Sequence, residues 1–173
     1  MFYRLELIKE LEIPPRYFAS NLDDEINRRL RQDVEGTCSG KHGFVIAVTE
    51  AIHKGDGMIR EGVGNAVFNV KYECIVFMPH KGEVMDAVVK SVNKMGFFAE
   101  AGPLQIFVSN HLIPEEFEFD STNDPAYMTK EGEKITTGCE VRLKIVGTRV
   151  DANEIFAVAS VKDDYLGVIG RAA

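Results

Sequence analysis

One helical signature stands alone in this chain. Leu22, Ile26, Leu30 and Val34 recur every four residues. The other apolar runs alternate with period two or are cut short by Gly and Pro. A single amphipathic helix among many strands restricts the chain to α+β or mostly-β architectures, because the helix has only sheet on which to bury its apolar face. Upstream, Phe2, Arg4, Glu6 and Ile8 alternate with Tyr3, Leu5 and Leu7 as a strand, and Pro14-Pro15 ends it. Ser20 or Asn21 is placed to cap the helix, and Asp23 to Glu25 fill its first turn. Arg28, Arg29 and Arg31 follow at pairing distance along the helix. Gly36 closes it.

Strand-like segments follow at Thr37–Ser39 and Phe44–Thr49, and then a glycine-rich loop through Gly55, Gly57, Gly62 and Gly64. Val70, Tyr72, Cys74, Val76 and Met78 alternate with Asn69, Lys71, Glu73, Ile75 and Phe77 as a further strand, broken at Pro79-His80-Lys81-Gly82. Residues 1–80 therefore read as one α+β unit.

The remainder, 81–173, carries short strands, turn signals and no helical period. Val84, Asp86, Val88 and Lys90 stand opposite Met85, Ala87, Val89 and Ser91. Asn93-Lys94-Met95-Gly96 turns into Phe97–Glu100, and Gly102-Pro103 turns into Leu104–Val108. A polar segment near 114–138 reads as an inserted irregular loop. Val141, Leu143 and Ile145 then oppose Arg142 and Lys144, and Asp151-Ala152-Asn153 turns into Ile155–Ser160. Five short strands at this spacing predict a small all-β OB barrel, followed by a C-terminal tail.

The residues supply little for catalysis. Gly55-x-Gly57 and Gly62-x-Gly64 form neither a dinucleotide fingerprint nor a phosphate loop. His42, His53, His80 and His111 lack neighbours that would build a triad, and Glu115-Glu116 reads as a solvated turn. Cys38, Cys74 and Cys139 are odd in number and far apart, and Cys38 with His42 is half of a zinc site at most. The expectation is a non-enzyme without metal or cofactor. Met1–Glu10 is too charged for a signal-peptide core and no apolar run is long enough to span a bilayer, so no membrane is expected.

Binding is better supported. On an OB barrel the second and third strands form the oligonucleotide face. Lys94-x-Gly96-Phe97-Phe98 opens the second strand here and Phe107 lies in the third. Alternation allows one of Phe97 and Phe98 to face outward as a stacking platform, the other being core. Arg142, Lys144 and Arg149 are candidate phosphate contacts. The net charge of −7 runs against a chain that grips nucleic acid by charge alone, so RNA contact must be local, weak or partner-assisted.

Gly82-Glu83-Val84, Gly96-Phe97-Phe98, Phe107-Val108-Ser109 and Val141–Val150 resemble the S-one-type RNA-binding module. That resemblance implies that Phe98 contacts RNA, with Phe107 at the place of the module's histidine and Ala101 at that of its second aromatic. Further motifs extend the likeness over nearly the full length: Pro15-Arg16-Tyr17-Phe18, Val34-Glu35-Gly36-Thr37-Cys38, Gly43-Phe44-Val45-Ile46, Ile145-Val146-Gly147-Thr148-Arg149 and Asp164-Tyr165-Leu166-Gly167. Together they resemble the family of the seventh, or stalk, subunit of RNA polymerase II and its archaeal counterpart, the polymerase E subunit.

The resemblance implies a truncated RNP-like docking domain followed by the S-one-type barrel, in the nucleus. It implies a heterodimer with the fourth polymerase subunit, docking on the RNA polymerase II core near the clamp, and contact with single-stranded nascent RNA. Pro15, Arg16, Tyr17 and Phe18 with Gly55, Gly57, Gly62 and Gly64 would form the docking tip. The apolar strand Cys74–Met78 and the tail residues Leu166, Val168 and Ile169 are expected to be exposed for a partner. A stalk subunit of RNA polymerase I or III, and a free-standing RNA-binding barrel, are the other readings the residues leave open.

Overall fold

The computed structural model describes residues 1–18, 21–121 and 124–169, and the chain divides into two compact units, Met1–Met78 and Pro79–Ala173. The first begins with β1 (Phe2–Ile13), a 3-10 turn at Pro15–Tyr17, and α1 (Leu22–Val34). Next come β2 (Cys38–Ser39), β3 (Gly43–Lys54), β4 (Met58–Ile59) and β5 (Ala66–Phe77). The sheet is antiparallel in the order β1-β5-β3-β2, with β4 also on β5. Helix α1 covers one face. Ile26, Leu30 and Val34 pack on Leu11, Ile13, Val45, Val48, Val70, Tyr72, Cys74 and Val76.

The start of α1 departs from expectation. Ser20 lies outside the described residues, and Asn21 is the N-cap residue but makes no side-chain cap bond. Its backbone (φ −102°, ψ 23°) is outside the extended region from which a cap side chain reaches back to the helix. Glu25 holds the first turns instead: its Oε1 accepts from Arg28 Nη2 at 2.7 Å and Arg29 Nε at 2.9 Å. At the other end Gly36 takes φ +78°, the left-handed C′ conformation glycine supplies without strain.

Strand β3 runs further than its sequence suggests, and it is not a simple pleat. Its pairing with β5 slips at three points, between Val45 and Ala47, Val48 and Glu50, and Ala51 and His53. Each bulge inserts one unpaired residue, so the covered positions become Val45, Val48 and Ala51, at intervals of three. The strand Cys74–Met78 is also not the exposed apolar surface expected for a partner. Cys74 and Val76 are buried in the core beneath α1, and Phe77 is covered on the opposite face by the rings of Phe2 and Phe44 from the flanking strands β1 and β3.

The second unit contains β6 (Val84–Asn93), β7 (Gly96–Ala101), β8 (Leu104–Ser109) and a 3-10 turn at Asn110–Leu112. There follow β9 (Glu118–Asp120), β10 (Ala126–Met128), β11 (Lys134–Ile135), β12 (Glu140–Val150), β13 (Ile155–Ser160) and β14 (Gly167–Val168). Strands β6-β7-β8-β13-β12 close into an OB barrel because β12 pairs with both β13 and β6, and β13 runs parallel to β8. Ala87, Val89, Phe97, Ile106, Leu143 and Ile145 fill the interior. A bulge between Val89 and Ser91 reverses the phase of β6, so Val92 turns inward and Ser91 outward, against the simple alternation.

Two further expectations are corrected here. The segment near 114–138 is not irregular: β9, β10 and β11 form a small antiparallel sheet with Tyr127 and Ile135 buried. Strands of two or three residues are too short to show a period, which hides them in the sequence. The tail is not free either. Val141 pairs with Val168, and Ile169 N donates to Glu140 O at 2.8 Å, leaving Leu166, Val168 and Ile169 half-buried.

Candidate nucleic-acid interface

Alternation along β7 separates the adjacent phenylalanines. Phe97 is 0% exposed inside the barrel and Phe98 is 43% exposed outside it. Register places Phe98 directly opposite Phe107 on β8 and Phe107 opposite Val158 on β13, so the three share one outward row. The Phe98 and Phe107 ring centroids lie 4.8 Å apart with planes tilted by 43°, a favourable aromatic pairing. Gly96 makes the approach of β7 to β8 possible. It has φ +145°, and a Cβ there would run into the carbonyl of Val108.

The cations divide by topology. Arg142 binds Asp86 in a fork, Nε to Oδ1 at 2.7 Å and Nη2 to Oδ2 at 2.9 Å, and this contact holds the Asp86 carboxyl below its usual range. Lys144 Nζ donates to Asp163 Oδ2 at 2.8 Å. Both sit where β12 neighbours β6, across the barrel from the seam of β7 and β8. The structure therefore does not bring Arg142 and Lys144 together with the phenylalanines. Arg149 lies further along β12, opposite Phe156, which is in turn opposite Gln105 of β8. Its side chain is 81% exposed, with Asp151 at 3.9 Å. Lys94 is exposed in the turn that enters β7 and makes no ion pair among the described residues. Val158 also belongs to this row, and Met95 is exposed in the turn that enters β7; sequence reasoning passed over both. Their signal was alternation in β13 and an apolar side chain within a turn.

In the first unit the structure brings the two proposed tip segments side by side. A Cβ on Gly64 would stand 3.8 Å from Pro15 Cγ, and Asn65 Nδ2 donates to Glu12 Oε1 at 3.1 Å just before that turn. Gly62 and Gly64 have φ +86° and +75°, whereas Gly57 serves close approach, its Cβ position being 2.6 Å from the Phe68 ring. Two guanidinium groups stand over the Tyr17 ring, with Arg16 at 4.7 Å and Arg29 at 5.2 Å from its centroid. Phe18, Met58, Ile59 and Val63 are exposed. The last three sit within the glycine-rich segment and were missed when only its glycines were read. Among the described residues no three His, Cys, Asp or Glu side chains converge to hold a metal.

A helix-backed antiparallel unit followed by an OB barrel with an outward aromatic pair on β7 and β8 is the architecture of a class of two-domain proteins that handle nucleic acid. Residues 78–158 match the family described as S1 RNA binding domain. Residues 9–64 match the SHS2 domain found in N terminus of Rpb7p/Rpc25p/MJ0397. The chain is 58% identical to DNA-directed RNA polymerase II subunit RPB7 of Glycine max, over 100% of this chain and 99% of that protein. It is 55% identical to DNA-directed RNA polymerase II subunit 7 of Arabidopsis thaliana, with the same coverage. It is 37% identical to the RPB7 subunit of Saccharomyces cerevisiae, over 98% of this chain and 100% of that protein. The chain belongs to the RNA polymerase II subunit 7 family, whose members are accessory subunits of that enzyme.

Proposed function

We propose that this chain is the nuclear stalk subunit that pairs with the fourth polymerase subunit, docks on the RNA polymerase II core near the clamp, and presents its barrel to nascent single-stranded RNA. The observation that carries the RNA part is the Phe98–Phe107 pair, outward on the two strands that bind oligonucleotides in OB folds. Base stacking tolerates any sequence, as suits a protein that meets every transcript. The net charge of −7 fits the same reading, because tethering to the polymerase raises the effective RNA concentration and relieves the barrel of tight binding.

Docking is assigned to the Pro15–Phe18 turn with Gly55–Gly64, where exposed Met58, Ile59 and Val63 offer apolar contact. The face of the first sheet away from α1 is assigned to the fourth subunit. It carries exposed Phe2 and Ile46 beside half-buried Phe44, in place of the Cys74–Met78 strand.

Affinity purification of the tagged full chain tests this reading. A stoichiometric fourth-subunit homologue together with the RNA polymerase II core is the expected result. Recovery of the chain alone, or with RNA polymerase I or III subunits, overturns it.

A further inference from the structure

The inserted sheet meets the proposed RNA face at one turn. Tyr127 of β10 is 3% exposed, its ring packs on Phe119 at 5.4 Å, and its hydroxyl donates to the Asn93 carbonyl at 2.9 Å. Burial raises the phenol's pKa, so it remains a donor through the neutral range. Asn93 in turn accepts from Met95 N through its side-chain Oδ1 at 2.9 Å. Met95 O accepts from Asn110 N at 2.9 Å, which joins the turn to the 3-10 segment after β8. Hydrogen bonds therefore link a buried tyrosine to the Asn93 backbone, and the Asn93 side chain to the exposed Met95, with exposed Lys94 carried in the turn between them. Gly96 is opposite Ser109 in the register in which Phe98 is opposite Phe107. The turn thus lies about 7 Å along β7 from the aromatic pair, at strand rise.

We propose that Tyr127 is a positioning residue for RNA: through Asn93 it fixes the turn that carries Lys94 and Met95 at the end of the Phe98–Phe107 pair. The inserted sheet is then a buttress of the binding face rather than a spacer. A lysine on a free turn must be ordered when it meets a phosphate, and a held turn has already lost that freedom. The proposal rests on the Phe98–Phe107 reading of the RNA face, so its test separates the two.

The full chain is titrated with a short fluorescent oligouridylate, and hydrogen exchange is followed at the Met95 amide. Tyr127→Phe keeps the buried ring and removes only the hydroxyl; Asn93→Ala, at an exposed position, removes the next link without touching the core. Each should weaken RNA binding by about threefold to tenfold, and the loss of one neutral hydrogen bond should lower the thermal midpoint by only about 5–10 °C, leaving the barrel folded. Tyr127→Phe should also speed Met95 exchange by a comparable factor. If both variants bind as the parent does while Phe98→Ala with Phe107→Ala loses binding, Tyr127 is merely core and the proposal falls alone. If the double phenylalanine variant binds RNA normally while folded, the RNA face itself is wrong and the proposal falls with it. Should Tyr127→Phe not fold, Asn93→Ala decides the matter by the same criterion.

Discussion

Replacing Phe97 and Phe98 separately by alanine should give opposite phenotypes, although the two residues are chemically identical and adjacent. Phe97 is 0% exposed among the barrel residues, and emptying such a site costs about 3–5 kcal/mol. For a unit of this size that corresponds to a fall in thermal midpoint on the order of 20 °C. Phe98 loses mainly its contact with Phe107, about 0.5–1.5 kcal/mol for an aromatic pair. Its cost should appear in RNA binding, where one stacked base is worth about 1–3 kcal/mol, or roughly fivefold to 150-fold in affinity. Thermal melting by circular dichroism and fluorescence anisotropy with a short oligouridylate read the two quantities independently. Lys94→Ala and Arg149→Ala should each lower the salt dependence of binding by about 0.7 in log–log slope. Arg142→Ala should leave it unchanged, because Arg142 is committed to Asp86. Destabilisation by Phe98→Ala as severe as that by Phe97→Ala would place Phe98 in the core instead. Parental RNA affinity in folded Phe98→Ala with Phe107→Ala would remove the pair from the RNA path.

Two further predictions concern the first unit. Arg28 and Arg29 hold the Glu25 carboxyl well below its ordinary 4.5, at about 2; such a lowered value contributes stability that is complete above pH 4.5 and lost as the pH falls toward 2. Acid unfolding monitored on the full chain should therefore lose a component across that window in Glu25→Gln, and an unchanged acid profile counts against the Glu25 cluster as a clamp on α1. Gly62→Val with Gly64→Val forces β-branched residues into positive φ, which strains the backbone by about 1–3 kcal/mol per site. Co-purification with the polymerase core should weaken while the fourth-subunit pair survives, and undiminished core recovery removes this loop from the docking surface.

Features that depend on local geometry were legible along the chain. The four-residue period of Leu22 to Val34 specified α1 and its buried face. Two-residue alternation specified which side of β5 is core, and it required Phe97 and Phe98 to lie on opposite faces. These follow from the helix and the pleat, which a residue and its near neighbours define without reference to a partner. Motif order along the chain also sufficed for the α+β unit and the barrel.

Features that depend on a partner strand emerged only with the folded chain. The three slips of β3 and the one in β6 exist only against their neighbours' registers, so they changed which residues are covered, Ser91 among them. The short strands of the insert become strands only where they meet each other and bury Tyr127. The cations were sorted in the same way. Arg142, Lys144 and Arg149 are alike in sequence, yet Arg142 finds a carboxylate 56 residues away, Lys144 finds Asp163, and Arg149 remains largely open to solvent. Ion pairs between distant strands are consequences of closure of the barrel, and no period along the chain encodes them.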